Sequence, residues 1–335
     1  MKKLLTLAML ASLLFAQTVY AKIWRVNNVP GIAADFTTAQ AAHDGATAGD
    51  TVYLESSPIS YGNLTATKQL VWMSLGYFLT NNAGLQYQSN AGYIGSLNVN
   101  TGADGSVFEL ECTSGISVSS CTNLIFQRCY VSSIFSISGT SSHITITQCY
   151  FTFNNFLSIV PSSPESTFTV INNMGSVNYI NINSNAYLVV FSNNTIFSSS
   201  SSFTIDNAAI SNNIFYNSVD GSATLYDAGY PSNVTNNLWV STTNSNYVGS
   251  NNNIFAATAT FVFVGGSSPD AQYKLAVGSP AIGAGAGGVD MGAFGGTAPY
   301  VVSLIPPIPT IYQLAVPANA SGSTLPCTVS TRANN

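Results

Sequence analysis

Few residues of this chain have the type and spacing to do chemistry. Asp206 and Asp227 stand 21 positions apart, close to the period of the repeat described below, so their carboxylates could stack in one cleft. Stacked acids share a proton or hold a cation, because two like charges cannot both ionise freely at close range. Yet Asp206-Asn207 and Asp220-Gly221 are also ordinary turn dipeptides. Glu109 and Glu111 share one strand face, with Phe108 and Leu110 facing the core, and such a pair suits a cation or acid/base work. No third acid occupies a matching position, so they read as solvated carboxylates on an outward face. His43, beside Asp44 at the end of an amphipathic stretch, reads as a capping or surface histidine. Lys68, Arg128 and Lys274 are the basic candidates, and no two are one repeat apart. Neither a CxxC pair nor neighbouring histidines occur, so zinc is not indicated. No catalytic, cofactor-binding or metal-binding residue is assigned from these patterns.

The elements that would position these groups are set by a recurring pattern. It reads NLIFQRCYV (123–131), HITITQCYF (143–151), FTVINNMG (168–175), LVVFSNNTIF (188–197), AAISNNIFY (208–216), SNVTNNLWV (232–240) and VGSNNNIF (248–255). Aligned on Cys129, Cys149, Asn173, Asn194, Asn213, Asn237 and Asn253, the steps are 20, 24, 21, 19, 24 and 16. A period near 20 marks a solenoid, whose units bury their apolar faces only by stacking. Within each unit apolar residues alternate: Phe126, Ile146, Val170, Phe191, Ile210 and Val234 fall in one column, with Leu124, Ile144, Phe168, Val189 and Ala208 two residues earlier. A period of two is a strand with one buried face. Counted straight through the bend, the same parity places Asn172, Asn193, Asn212, Asn236 and Asn252 inside, as an asparagine ladder, and puts Arg128 at the head of that column. After the bend Val131, Phe151, Ile196, Phe215, Trp239 and Phe255 turn inward again. Cys129 and Cys149 sit one rung apart, about 4.8 Å by strand spacing. Parallel Cβ vectors make poor disulfide geometry, so stacked reduced thiols are expected. A β-sandwich with Asn-rich hairpins explains the turns but not the columns.

Two further stretches carry a resemblance. Trp24-Arg25-Val26-Asn27-Asn28, an amphipathic segment Phe36–His43, Gly49-Asp50-Thr51-Val52-Tyr53-Leu54 and Tyr61 match the opening of secreted bacterial parallel β-helix proteins: a "VN" strand, a capping helix and a "GDTVYL" first strand. Ser279-Pro280-Ala281-Ile282 and Asp290-Met291-Gly292-Ala293-Phe294-Gly295 match their closing text, except that Gly283 stands where the family has Asp, which puts that residue's loop contact in doubt. With the ladder, the chain over residues 22–296 resembles the right-handed, pectate-lyase-like parallel β-helix shared by pectate lyases, polygalacturonases and many bacterial surface proteins. The resemblance implies an all-β, single-stranded solenoid. It also implies how enzymes of this fold act on polysaccharides. Lyases use a Lys or Arg, often with Ca2+ held by several carboxylates, and hydrolases use two or three neighbouring Asp. Ca2+ is therefore expected only if the chain is such an enzyme, and no cofactor otherwise.

Met1–Ala21 reads as a signal peptide: Lys2 and Lys3, an apolar Leu4–Phe15, and a small-residue cleavage site at Val19-Tyr20-Ala21. The apolar run is shorter than a membrane span needs. The remaining chain divides into a cap and first rung (22–62), a parallel β-helix (63–299), and a Pro-rich linker with a short β extension (300–335) that is expected to pack back on the solenoid. Without Lys2 and Lys3, six basic residues face 13 acidic ones, a net of −7. So sparse a basic set cannot track phosphates, and nucleic acid is excluded as a partner. The outward pairs Ile125/Gln127, Thr145/Thr147, Thr169/Ile171, Val190/Ser192, Ala209/Ser211 and Asn233/Thr235 are too mixed to match an ice lattice.

These features point to a secreted or cell-surface rod, non-catalytic, that serves adhesion, matrix or glycan contact. The alternative is a polysaccharide lyase or glycoside hydrolase with its site near Asp206 and Asp227, in a groove flanked by Tyr226, Tyr230 and Trp239.

Overall fold

A computed structural model describes residues 21–183, 186–197, 202–217, 225, 233–241, 243, 246–319 and 323–333. The signal-peptide reading, Met1–Ala21, lies outside these residues but for Ala21. Among the described residues, ten strands form one parallel sheet, from Ile23–Val26 through Thr51–Leu54, Val71–Met73 and Val107–Glu109 to Asn233–Thr235. A second sheet of fourteen strands runs from Leu64–Ala66 to Ile254–Ala256. The long strands Tyr150–Pro161 and Met174–Ile182 turn a corner. Their first residues pair with one stack (Tyr150↔Tyr130, Met174↔Thr195) and their last with another (Leu157↔Phe135, Ile180↔Phe203). The chain is thus a right-handed parallel β-helix with three faces. None of the described helices is long and apolar enough to cross a membrane.

The alternating columns are the core. Phe126, Ile146, Val170, Phe191, Ile210 and Val234 are all buried, as are Leu124, Ile144, Phe168, Val189 and Ala208. Phe255 departs from the expectation: it is 43% exposed, because its strand is the last of its stack. A helix, Ala39–Gly45, buries Ala39 and Ala42 in the same core and starts on Thr38, whose hydroxyl accepts the N–H of Ala41. At its other end Lys68 Nζ donates to the carbonyls of His43 and Ala46, groups a helix terminus leaves without partners.

The ladder is displaced by one residue from its expected position. Arg128, Gln148, Asn172, Asn193, Asn212, Asn236 and Asn252 are left-handed, with φ between 52° and 60°. A left-handed residue breaks the two-residue alternation, so parity cannot be carried across the bend. These residues face outward, and the following one, Asn173, Asn194, Asn213, Asn237 or Asn253, turns in. Each inward carbonyl accepts the backbone N–H of the preceding rung's ladder residue at 2.9–3.0 Å. The amides of Asn173, Asn194, Asn213 and Asn237 donate along the ladder, and all five from Asn173 to Asn253 donate to a strand carbonyl at 2.9–3.0 Å. All five cysteines are free thiols, as expected for Cys129 and Cys149.

The outward, left-handed residues also have partners. Residues 284–299 run back along the bend, and the outward amides hold this strap rung by rung. Asn236 donates to Ala284, Asn193 to Asp290, Asn172 to Ala293 and Gly295, and Gln148 to Ala298 and Pro299, while Asn212 accepts the N–H of Ala286. Gly292, at φ +84°, presses on Ile214 and Thr195, where a Cβ has no room. The loop contact put in doubt by Gly283 is made the other way round, with Asp290 Oδ1 accepting the N–H of Gly283 at 2.8 Å. Beyond the strap, Thr310–Ala315 and Thr328–Arg332 form an antiparallel hairpin. It reaches the early rungs, where Tyr87 N–H donates to Ile311 and Arg332 to Leu85.

Candidate ligand groove

The structure separates the sequence candidates rather than gathering them. Asp206 is buried in a turn with Asn207 in the left-handed region, in keeping with the turn reading. Asp220, Tyr226, Asp227 and Tyr230 lie outside the described residues, so the Asp206–Asp227 pairing has no geometry here. Trp239, expected on the flank of a groove, is fully buried against Phe215 and Tyr247, because it falls in the inward column after the bend. His43 is not a surface residue: it is buried, with Nε2 accepting the N–H of Thr67 and Nδ1 3.0 Å from Asp44. It ties the helix to the first coil.

Glu109 and Glu111 do not share one solvated face. Glu109 ends a strand of the first sheet and Glu111 opens one of the second, with Leu110 at the bend between them. Glu109 is only 4% exposed, and Gln127 Nε2 donates to its Oε1. Burial raises its pKa, against the opposing effects of Gln127 and Arg128. Burial alone pushes Glu111 up to about 7. Arg128 sits outside the bend, not in the ladder, and its Nε donates to Gln148 at 3.0 Å.

A concave surface with ligand-type chemistry lies over the first coils. One cleft of about 350 Å³ is lined by Tyr53, Leu75, Gln86, Tyr87 and the hairpin residues Ile311 and Leu314. A second, of about 530 Å³, is lined by Asn27, Tyr53, Glu55, Leu75, Gln88 and Asn90. Sharing Tyr53, Leu75 and Gln88, they form one groove. Tyr53 faces outward because it alternates with buried Val52 and Leu54, and it pairs with Arg25 on one side and Met73 on the other. Burial, then the nearby Glu55, pushes its phenol up to about 12, so at neutral pH it keeps its proton to donate. Glu55 is committed: Arg25 pairs with one oxygen and Asn27 Nδ2 donates to the other at 2.8 Å. Tyr87 is half-exposed. Two phenol side chains and four amides therefore line one groove.

Sequence reasoning placed Tyr53 in the first strand but missed the groove. Its outward parity was the one available signal. Gln86, Tyr87 and Gln88 sit in irregular chain that no periodicity marks, and their wall comes from a hairpin more than 200 positions away. Compared with protein-family models, with curated proteins and with solved structures, the chain has no match in any of the three.

Proposed function

We propose that this chain is an exported, non-catalytic β-helix protein that contacts glycan at a cell surface or in an extracellular matrix, through the groove between Tyr53 and Tyr87. The observation that carries this reading is the lining itself. Tyr53 and Tyr87 contribute phenol side chains, Asn27, Gln86, Gln88 and Asn90 contribute amides, and Glu55 is anchored by Arg25 and Asn27 rather than free for proton transfer. Export is supported by Lys2, Lys3 and the apolar stretch behind them. A rigid scaffold with a shallow, pre-formed groove suits binding, because little conformational entropy is lost when a ligand docks.

The test is a glycan array probed with the chain from Lys22, with Tyr87→Ala and Tyr53→Ala alongside. Tyr87 is exposed enough to be removed without opening the core, so Tyr87→Ala is expected to keep the thermal transition and lose at least about tenfold in affinity, the worth of one stacking contact. No binding across the array, or equal binding by both variants, overturns the reading. Polysaccharide cleavage that Asp206→Ala abolishes would favour the enzyme alternative.

A further inference from the structure

Beside the first strand lies a buried carboxylate with no cation in contact. Asp50 is only 4% exposed. Its Oδ2 accepts from the Trp24 indole and from the Thr47 N–H, and its Oδ1 from the backbone N–H of Lys22, each at 2.8 Å. All three donors are neutral. The Lys22 ammonium turns elsewhere, over the Trp24 ring and 4.0 Å from Asp35. Among the described residues the ion pairs are Lys22–Asp35, Arg25–Glu55 and His43–Asp44, and Asp50 belongs to none of them. A buried carboxylate met only by neutral donors keeps a desolvation cost that an adjacent cation would offset.

The nitrogen that faces Asp50 Oδ1 is held by the strands themselves. The Lys22 carbonyl accepts the N–H of Thr51 at 2.8 Å, and Ile23–Val26 runs in register along Thr51–Leu54. Asp50 is fixed from its own side, its N–H donating to Thr47 and its carbonyl accepting from Val71, both at 3.0 Å. Ile23–Val26 is also the terminal strand of its sheet, paired on one side only, where an anchor counts most. Cleavage at the Val19-Tyr20-Ala21 site makes this same nitrogen a free α-amine.

We propose that Asp50 is the receptor of the mature N-terminus: removal of Met1–Ala21 makes the Lys22 nitrogen an ammonium, which pairs with Asp50 Oδ1 and locks the first strand to the second. This inference rests on the export part of the reading above. The step is hydrolysis by a leader-removing peptidase. Water adds across the Ala21–Lys22 bond, Ala21 leaves with the carboxylate, and Lys22 keeps the nitrogen as NH₃⁺. One neutral hydrogen bond thereby becomes charge-assisted. Lys22 is exposed and Asp50 is not, so the pair stands at the rim of the cap and water screens it in part. Asp50 and Asp35 favour the charged amine, and the Lys22 side chain opposes it. Arg25 and Glu55 pair with each other further along the strands, as do His43 and Asp44 on the helix, while Lys68 is taken up by the helix carbonyls.

The test compares a chain beginning at Lys22 with one beginning at Ala21. The extra residue moves the ammonium by about 3.8 Å and returns Lys22 to a neutral amide. NMR titration of the ¹³C-methylated amines should place the Lys22 α-amine at about 8.5 or above, against roughly 7.7–8.0 for that of Ala21. An amine whose folded-state pKa is raised stabilises fully below the unfolded value, and the effect is lost as pH rises through the folded one. The Lys22 chain should therefore melt higher at about pH 7, and the gap should close by about pH 10. Asp50→Asn keeps a carbonyl acceptor and removes the charge, so in that background the two starts should melt alike, whatever the substitution costs both. N-terminal sequencing of the chain exported with its own leader should begin at Lys22. A Lys22 amine that titrates no higher than that of Ala21, equal melts at neutral pH, or a gap that survives Asp50→Asn overturns the pairing. A start other than Lys22 overturns the processing. None of these readouts involves glycan, so the groove reading and this one fail separately.

Discussion

The side-chain carbonyl of Asn173 accepts the backbone N–H of Cys149 at 2.9 Å, and Cys149 then does what an asparagine would do. Its thiol donates to the Phe126 carbonyl at 3.5 Å, and Cys129 donates to that of Phe108 at 3.1 Å. Asn173 donates to the equivalent carbonyl, that of Ile146. The ladder therefore passes from amide to thiol without changing its acceptor. Cys149→Asn is expected to leave stability unchanged or raise it by about 1 kcal/mol, since its carbonyl would meet the N–H of Cys129. Cys149→Ala should lower stability by about 1 kcal/mol. Urea unfolding checks both, and an asparagine variant less stable than the alanine one would contradict the shared role.

Asn194 stands in the middle of the ladder. Its oxygen accepts from both nitrogens of Asn173, and its Nδ2 donates to Val170 and Asn213. Asn194→Ala strands several buried groups and should cost about 3–5 kcal/mol, several times the loss of one net hydrogen bond. Asn253→Ala, with no described rung beyond it, should cost less. Comparing their chemical denaturation midpoints separates the two.

Asp270 is the keystone of the C-terminal cover. Its buried carboxylate accepts from Asn82 and Ser268 at 2.9 Å, from the N–H groups of Ala271 at 2.7 Å and Ser303 at 2.6 Å, and from the Tyr300 hydroxyl. Asp270→Asn turns an NH₂ group toward donors and should cost about 2–4 kcal/mol. Limited proteolysis should then cut near residues 300–305 well before the solenoid. Unaltered protection there would show that the cover is held elsewhere.

Stability should fall as pH rises from 4.5 to about 7. Glu111 has a folded-state pKa raised from 4.5 to about 7, so its proton is bound more tightly folded than unfolded. The stabilisation is complete below 4.5 and lost through 7, about 3 kcal/mol at most. Asp50 and Asp104 shift down: burial opposes this, but donors from Lys22 and Trp24, and from Thr122, outweigh it, so they titrate below this window. Glu111→Gln should reduce this slope, leaving the part contributed by Glu109, which burial also raises, as thermal melts across pH would report. A native chain with no slope there would contradict the buried, protonated Glu111.

The repeat, the period-two core and the presence of an inward amide column are legible in the order of the residues alone. Stacking makes these local: each rung contributes the same residues to the same columns, so spacing alone reveals them. That order did not determine which asparagine of each pair turns inward. A single left-handed residue at the bend reverses parity, and only the folded backbone shows that it does so at Asn172, Asn193, Asn212 and Asn236. Nor could it bring Tyr53, Tyr87 and Ile311 to one place. Those meetings depend on residues 284–319 and 323–333 returning along the solenoid, the first of them, 284–299, held by outward amides that look in sequence like turn residues. Long-range return of an irregular segment leaves no period to read, and the groove proposed to bind glycan is built in part from it.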